Sequence, residues 1–223
     1  MTQQYISKYL RNPENKIAIT DERFCFEQPI TFILNENFFS ISDDDFTIKD
    51  LNGVKYFQCL GKTLSIRDKK VLYDMYNQPI LNIQDKLLSL RGKMNIYEGK
   101  TQEKSILRIK PKSPIFNQKF TVTFLNKVTG KNELFEMDCD FMGFNCEIYY
   151  GKKKNGAPMI CRIIKKVDTK AIFTSDENYY VEVAAGVDTA AMIALAICFD
   201  EGKNEDSGPG GCLCGILDIF TFF

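Results

Sequence analysis

The chain has 223 residues, of which 44% are hydrophobic, so it can bury a sizeable core and disorder is not expected. It contains 29 basic and 29 acidic residues, and this formal net charge of zero argues against non-specific nucleic-acid binding, which needs a concentrated basic surface. Because the sequence contains no histidine, it excludes Ser-His and Cys-His catalytic pairs and any zinc site with a histidine ligand.

The N-terminal residues 1–20 are polar and lack the apolar core of a signal peptide, so we predict a flexible tail here. One folded domain is predicted to follow at 21–201. The chain contains eight cysteines but no CxxC pair, so neither a zinc ribbon nor a thioredoxin motif is expected. We expect free thiols in a reducing compartment, the cytosol, where most of these cysteines serve as small buried side chains.

Short segments in which apolar and polar residues alternate begin at Ile30 and recur along the chain, separated by turn signals. Turns at 50–53 and 77–79 predict hairpins. Strands with one apolar and one polar face suit an antiparallel sheet, and a repeat of about ten residues per strand and turn predicts a barrel or sandwich. The predicted strands lie at 46–49, 54–60, 71–73, 80–83, 120–124, 135–141, 146–150, 158–165 and 179–183.

A different pattern follows the last predicted strand, where residues 190–199 are all apolar and Asp188 is placed to act as a helix N-cap. The segment 188–201 is therefore a predicted helix. Its ten apolar residues make only about 15 Å of helix, roughly half of a bilayer core. A helix that is apolar on every side has to be enclosed by protein. We therefore predict a mainly β fold, a closed antiparallel barrel around a central hydrophobic C-terminal helix.

The C-terminal residues 202–223 form a predicted tail that begins as a flexible linker and ends in an apolar segment containing glycine and cysteine. Cys212 and Cys214 lie in this glycine-rich apolar context, so they are candidate acylation sites that would anchor the chain to a membrane. The alternative is that the apolar end packs against the barrel, and the residues alone favour neither.

A series of short motifs from about Arg23 to Glu201 resembles the LURP-one-related family, whose fold is similar to the tubby C-terminal domain and the phospholipid scramblases. The resemblance implies a barrel of about twelve strands around a central C-terminal helix. Family members often carry tryptophan where this chain has Met94. The motifs are Phe24-Cys25 followed by Pro29, Phe46–Asp50 with Asn52-Gly53, Lys70–Asp74, Pro79–Leu81, Lys86–Leu90, Met94–Tyr97 with Gly99, and Gly186–Asp188 continuing through Ala194-Leu195 to Asp200-Glu201.

The chain departs from the scramblases at the acidic calcium loop that precedes their final helix. The corresponding positions are Ser175, Glu177, Tyr179 and Gly186, of which only Glu177 carries a carboxylate. Calcium requires several oxygen ligands, so we expect no metal site, and we expect no other cofactor.

A cluster of basic residues occupies the predicted hairpin between 146 and 166. Each ammonium group near an anionic bilayer contributes about 1 kcal/mol to binding, so these residues are candidate lipid-binding residues. The alternative is an ordinary solvated turn. The resemblance to tubby domains implies a phosphoinositide as the lipid. The candidate residues are Lys152, Lys153, Lys154, Arg162, Lys165 and Lys166.

Together these features predict a non-enzymatic LURP-one-related protein, cytoplasmic and monomeric, that binds acidic membrane lipid peripherally or binds a protein partner. Direct binding of nucleic acid is not expected. The resemblance also implies a relation to tubby-like membrane-tethered transcription regulators. One alternative is scramblase-like lipid translocation, which the missing calcium ligands and the absence of a membrane span disfavour. Another is carriage of a small ligand, which a helix filling the barrel disfavours.

Overall fold

A computed structural model of the chain describes residues 9–35, 46–61, 69–84, 94–112, 119–140, 145–166 and 178–206. The described fold consists of twelve β-strands and one α-helix, together with two short 3-10 helices. The strands are β1 (Ile30–Asn35), β2 (Phe46–Asp50), β3 (Lys55–Gly61), β4 (Lys69–Asp74), β5 (Pro79–Gln84), β6 (Met94–Glu98), β7 (Ser105–Pro111), β8 (Lys119–Asn126), β9 (Lys131–Cys139), β10 (Asn145–Tyr150), β11 (Met159–Lys166) and β12 (Asn178–Val183), and the helix is α1 (Thr189–Asp206).

The twelve strands form one closed sheet. Each strand pairs in antiparallel fashion with the next one along the chain, and β12 pairs with β1. In that closing pair, Ile30 lies opposite Val183 and Asn35 lies opposite Asn178. The predicted fold, a mainly β closed antiparallel barrel with a C-terminal helix, is therefore confirmed.

The alternation of side chains along each strand separates a buried face from a wetter outer face. In β12, Tyr179, Val181 and Val183 are buried, whereas the residues between them are partly exposed. In β10, Cys146 and Ile148 are buried in the same way. The inner faces of the strands thus supply an apolar lining.

Helix α1 fills the space inside this lining. Every side chain from Ala190 to Cys198 is buried, with exposed fractions between 0% and 8%. The helix continues to Asp206, so the predicted helix end at 201 and the predicted linker at 202–206 are wrong. Adding a residue to an existing helix costs little because each one gains a backbone hydrogen bond, which allows the polar residues after 201 to extend it. Residues 207–223 lie outside the described part of the chain.

The N-terminal segment departs from the predicted flexible tail. Ile17, Ala18 and Ile19 are buried, and Ile17 forms a parallel bridge with Val187 just before the helix. These apolar side chains cover the end of the barrel at which α1 begins, which explains why the segment packs instead of extending into solvent. Residues 1–8 lie outside the described residues.

Asp188 joins this segment to the start of the helix. Its Oδ1 accepts a hydrogen bond from the Ala191 N–H at 3.1 Å, which confirms the predicted N-cap. Its Oδ2 accepts from the Ile19 N–H at 2.9 Å, from the Thr20 N–H at 2.6 Å and from the Thr20 hydroxyl at 2.8 Å. The buried carboxylate therefore has its hydrogen bonds satisfied within the protein.

The described cysteines are buried, as predicted, but two of them form a disulfide instead of carrying free thiols. Cys139 and Cys146 lie opposite each other on β9 and β10 with a Cα–Cα distance of 3.9 Å, and they form a disulfide. The expectation of free thiols is wrong for this pair because antiparallel pairing brings the two positions face to face. Burial raises the pKa of Cys25 to about 12, so this thiol is protonated and unreactive at neutral pH. The described free thiols, all buried, are Cys25, Cys59, Cys161 and Cys198.

Candidate functional site

The turn between β10 and β11, residues 151–158, carries the three consecutive lysines predicted to contact lipid. Lys153–Asn155 form a short 3-10 helix, and Gly156 follows with a φ of 79°, in the left-handed region that glycine favours. The Tyr150 N–H donates to the Pro158 carbonyl at 3.0 Å and closes the turn. The lysines therefore project from a defined turn.

Lys153 is held inside a network of charges on the outer face of the barrel. Its Nζ lies 2.9 Å from Asp138 Oδ2 and 2.9 Å from Glu147 Oε2. Asp138 and Glu147 lie directly opposite each other on β9 and β10, a pairing of like charges that destabilises a sheet when nothing compensates it. Lys153 supplies that compensation together with Lys119, whose Nζ lies 3.5 Å from Asp138 Oδ2, so the Lys153 ammonium group is already neutralised within the protein.

The pKa values of these groups reflect the network. Burial raises the pKa of the Asp138 carboxyl, but the hydrogen bonds and charges of Lys153 and Lys119 outweigh burial and hold it below its ordinary value. Burial also raises the pKa of Glu147, and its hydrogen bonds from Tyr149 and Lys153 again lower it overall. Burial lowers the pKa of Lys153, whereas its two carboxylate partners raise it above its usual range. All three groups are therefore charged at neutral pH.

Lys152 and Lys154 differ from the lysine between them. Both side chains are exposed at the turn. Within the described ranges, neither ammonium group has an ion-pair or hydrogen-bond partner. These two lysines are consequently available to an anion from outside the protein.

A groove of about 810 Å³ lies beside the base of this turn, between the N-terminal segment and the outer faces of β10 and β11. Arg11 and Arg162 contribute guanidinium groups to the groove, and Tyr9 and Tyr149 contribute aromatic rings. Glu147 lines it as well, with its carboxylate paired to the neighbouring lysine as described above. Guanidinium groups and aromatic rings together suit an anionic, partly apolar ligand.

The two arginines are positioned by different contacts. The Arg162 Nε donates to Asn145 Oδ1 at 2.8 Å, and the guanidinium carbon lies 5.9 Å from the Tyr9 ring centroid. The Arg11 backbone N–H donates to the Met159 carbonyl at 2.8 Å, which fixes this residue against the start of β11. The Arg11 guanidinium has no partner among the residues that the structure describes.

The structure does not bring all six predicted basic residues together. Arg162 and Lys165 are three positions apart on β11, so they face opposite sides of the sheet. Arg162 lies on the outer face of the barrel. Lys165 lies opposite the buried Tyr179 and, like Tyr179, occupies an inward-facing position of its strand, with its Nζ 5.6 Å from the centroid of the Tyr179 ring. Lys166 pairs through its backbone with Asn178, and its side chain lies outside the description. The turn and its groove therefore combine Lys152, Lys154 and Arg162 from the predicted set.

The candidate acylation sites, Cys212 and Cys214, lie outside the described residues. Their acylation stays a prediction from the sequence.

Sequence reasoning missed Tyr9 and Arg11 as site residues because both lie in the segment predicted to be a flexible tail. The signal that could have found them is the apolar triplet at 17–19, which anchors that segment to the barrel. An anchored segment has to lie against the outer strands it crosses, and here these include β11.

Across the described ranges, no group of three or more cysteine, aspartate or glutamate side chains is placed to hold a metal ion. In the same part of the chain, no helix is both long enough and apolar enough to cross a membrane.

The fold places the chain among antiparallel barrels that enclose a C-terminal helix, and sequence comparison identifies the family. The sequence model of the LURP-one-related family matches residues 30–200, so the chain belongs to this family. The protein LURP-one-related 10 of Arabidopsis thaliana is 27% identical over 195 residues, which cover 86% of this chain and 99% of the relative. The protein LURP-one-related 15 of the same plant is 24% identical over 201 residues, covering 87% and 89%.

A solved structure supports the same fold. The X-ray structure of an Arabidopsis thaliana protein superimposes with a TM-score of 0.59 at 19% sequence identity, over 83% of this chain and 98% of that one. At this identity the likeness concerns the fold and carries no information on ligands.

Proposed function

We propose that this LURP-one-related protein is a non-enzymatic binding module that attaches to acidic membrane lipid through the β10–β11 turn and the adjoining groove. One observation carries the proposal. Lys152 and Lys154 stand exposed and without partners in the described ranges, beside a groove that contains the guanidinium groups of Arg11 and Arg162. Four cations therefore face outward at one place on a chain whose formal net charge is zero.

The charges support weak and reversible binding. At about 1 kcal/mol for each basic residue near an anionic surface, four cations contribute roughly 4 kcal/mol. This free energy corresponds to a dissociation constant of roughly 1 mM. Two carboxylates, Glu147 and Glu182, lie directly opposite Arg162 on the flanking strands, and Lys153 compensates the charge of Glu147, so the figure for four cations is an upper bound. Arginine binds phosphate oxygens in bidentate fashion, so the groove suits a phosphorylated headgroup.

The chemistry of the groove supports a binding role over a catalytic one. Glu147 accepts a hydrogen bond from the Tyr149 hydroxyl at 2.6 Å and is paired with Lys153, so it stays deprotonated and engaged. Acid–base catalysis by carboxylates needs a second carboxyl with a different pKa, and the residues that line the groove include Glu147 as their sole carboxylate. The thiols described as free are buried away from the groove. The helix inside the barrel occupies the volume that a carried ligand would need.

The family resemblance supports the finer parts of the proposal. It favours a phosphoinositide as the lipid and relates the chain to tubby-like and scramblase-like barrels. A protein partner with an acidic surface would be recognised by the same cations, and the test below separates the two.

Vesicle sedimentation tests the proposal. Phosphatidylcholine vesicles with and without a phosphoinositide are incubated with the full chain and with a chain ending at Asp206. We expect both proteins to sediment with the phosphoinositide vesicles and neither to sediment with the neutral ones. Sedimentation of the full chain alone would assign membrane contact to the tail. Absence of sedimentation with either vesicle would contradict lipid binding and leave a protein partner as the ligand of these cations.

A further inference from the structure

Five hairpin turns emerge at the end of the barrel where α1 begins, which we call the turn end. Because successive strands are antiparallel, every connection that follows an even-numbered strand from β2 to β10 lies at this end. The five turns are 51–54, 75–78, 99–104, 127–130 and 151–158.

The turns are unusually apolar at their tips. Of the six large hydrophobic side chains that are exposed in the described residues, four lie in these turns. Tyr76 is 82% exposed, Val54 52%, Met75 40% and Val128 40%. Turns in water favour polar residues and glycine. Apolar side chains at the tips of three turns at the same end of the barrel therefore indicate a surface that contacts a partner.

The tips are held in place by buried carboxylates. Asp74 Oδ1 accepts hydrogen bonds from the Tyr76 and Gln78 N–H groups, both at 2.9 Å. Asp50 Oδ1 accepts from the Asn52 and Val54 N–H groups, also both at 2.9 Å. The exposure of these tips is therefore a feature of ordered turns and does not result from fraying of the strands.

The two neighbouring tips are also joined to each other. The Gln58 Nε2 on β3 donates to the Asn77 Oδ1 in the second turn. Val54 and Tyr76 thus belong to one connected part of the turn end.

The same turns are rich in lysine. They contain a single carboxylate, Glu103, against six lysines, and the exposed Lys55 and Lys131 follow directly at the starts of β3 and β9. Strand carboxylates pair with Lys104, Lys127 and Lys153, the N-terminal segment at this end adds three basic and four acidic residues, and the buried Asp50, Asp74 and Asp188 lie here as well. The net charge of the turn end is therefore close to zero, but Lys55, Lys131, Lys152 and Lys154 are exposed and have no ion-pair partner in the described ranges. The six lysines are Lys100, Lys104, Lys127, Lys152, Lys153 and Lys154.

We infer that the turn end faces the membrane and that Val54, Met75 and Tyr76 insert into the interface of an anionic bilayer while the lysines contact the headgroups. This inference rests on the proposed function and extends it by specifying the orientation of the barrel relative to the bilayer. The apolar side chains lie on two small neighbouring tips, with Lys55 directly after Val54 and the other lysines on the turns beyond, an arrangement that suits penetration among lipid headgroups. A protein interface would instead gather its apolar side chains into one contiguous core.

The absence of tryptophan from the chain makes insertion directly measurable. Tyr76→Trp and Val54→Trp each place a single fluorophore on an exposed tip. Thr123→Trp is the matched control, because Thr123 is exposed on the outer face of β8. It lies four residues before Lys127, about 13 Å from the turn at the usual strand rise. Each variant is mixed with phosphoinositide-containing vesicles that do or do not carry brominated acyl chains, which quench tryptophan on contact, after its melting temperature has been compared with that of the wild type.

On vesicle binding, we expect the emission maxima of the tryptophans at positions 76 and 54 to shift to shorter wavelength. We expect brominated lipid to quench at least half of their emission intensity and less than a tenth of the emission intensity of the control. If Tyr76→Trp does not fold, Val54→Trp alone provides the quenching test. Vesicle binding without quenching at either tip would overturn the inference and leave the proposed function intact. Equal quenching of tips and control would overturn it too, because the barrel would then lie on its side. Absence of vesicle binding would refute both.

Discussion

The three consecutive lysines of the β10–β11 turn allow binding and stability to be separated by mutation. The double variant Lys152→Gln/Lys154→Gln removes two exposed ammonium groups that have no ion-pair or hydrogen-bond partner in the described ranges, whereas Lys153→Gln removes a partner of Asp138 and Glu147. Glutamine keeps most of the length and polarity of lysine. The variants therefore differ mainly in where charge is lost.

The expected sizes follow from these contacts. At about 1 kcal/mol for each lysine, the double variant should bind anionic vesicles about thirtyfold more weakly, with an unchanged melting temperature. Lys153→Gln loses two partly exposed ion pairs, each worth about 0.2–1 kcal/mol, and leaves two opposed carboxylates with Lys119 near Asp138 as the remaining cation of the described network, so we expect a loss of about 1–2 kcal/mol of stability. For a chain of this size, that lowers the melting temperature by roughly 2–8 °C.

The assay combines vesicle sedimentation with differential scanning calorimetry on the same preparations. Lys110→Gln is a suitable control, because Lys110 is exposed on the wall of the barrel in β7, away from the turns. The reasoning would be refuted if the double variant bound as tightly as the wild type. It would also be refuted if the double variant melted as low as Lys153→Gln, since Lys153 would then have no special structural role.

Three further predictions concern the core, the charge network and the tail. Leu195→Ala should cost about 2–5 kcal/mol in urea unfolding because this side chain is fully buried in α1, and Leu195→Asp should abolish soluble expression; a folded Leu195→Asp variant with unchanged melting would contradict the enclosed helix. The lowered pKa values of Asp138 and Glu147 mean that their contribution to stability is present above their ordinary values of 3.8 and 4.5 and is lost as the pH falls through the lower folded values. Unfolding free energy should thus drop in acid, and less steeply in Lys153→Gln; parallel curves would argue against the network. If Cys212 and Cys214 are acylated in cells, hydroxylamine should expose their thiols to a maleimide label, and labelling that does not depend on hydroxylamine would remove the anchor hypothesis.

The sequence predicted the parts of the fold that depend on local patterns. The uninterrupted apolar run after Asp188 predicted an enclosed helix, and alternation at 120–124 and 179–183 predicted strands that the barrel contains. Pairing between segments that lie far apart in the sequence could not be predicted. The hydrogen bonds from Ile19 and Thr20 to Asp188 span more than 160 residues, which is why the sequence alone predicts a tail for the N-terminal segment.

The candidate site shows the same division between local and long-range information. Three adjacent lysines identified the turn, but the neutralised state of Lys153 depends on the register that places Asp138 opposite Glu147. The opposite facing of Arg162 and Lys165 follows from alternation alone and could have been predicted. The exposed tips at Val54 and Tyr76 could not be predicted, because a single apolar residue in a turn carries no information until the five hairpin turns are seen to share one end of the barrel.

The central claim is that the exposed lysines at the turn end bind an anionic bilayer. The most direct test is the partition coefficient of the wild-type protein onto vesicles with an increasing fraction of anionic lipid, measured at about 0.1 M and about 1 M salt. We predict that partitioning rises steeply with anionic lipid at the lower salt and largely disappears at the higher salt, where the Debye length falls from about 10 Å to about 3 Å. Partitioning that does not depend on either lipid charge or salt would contradict the account.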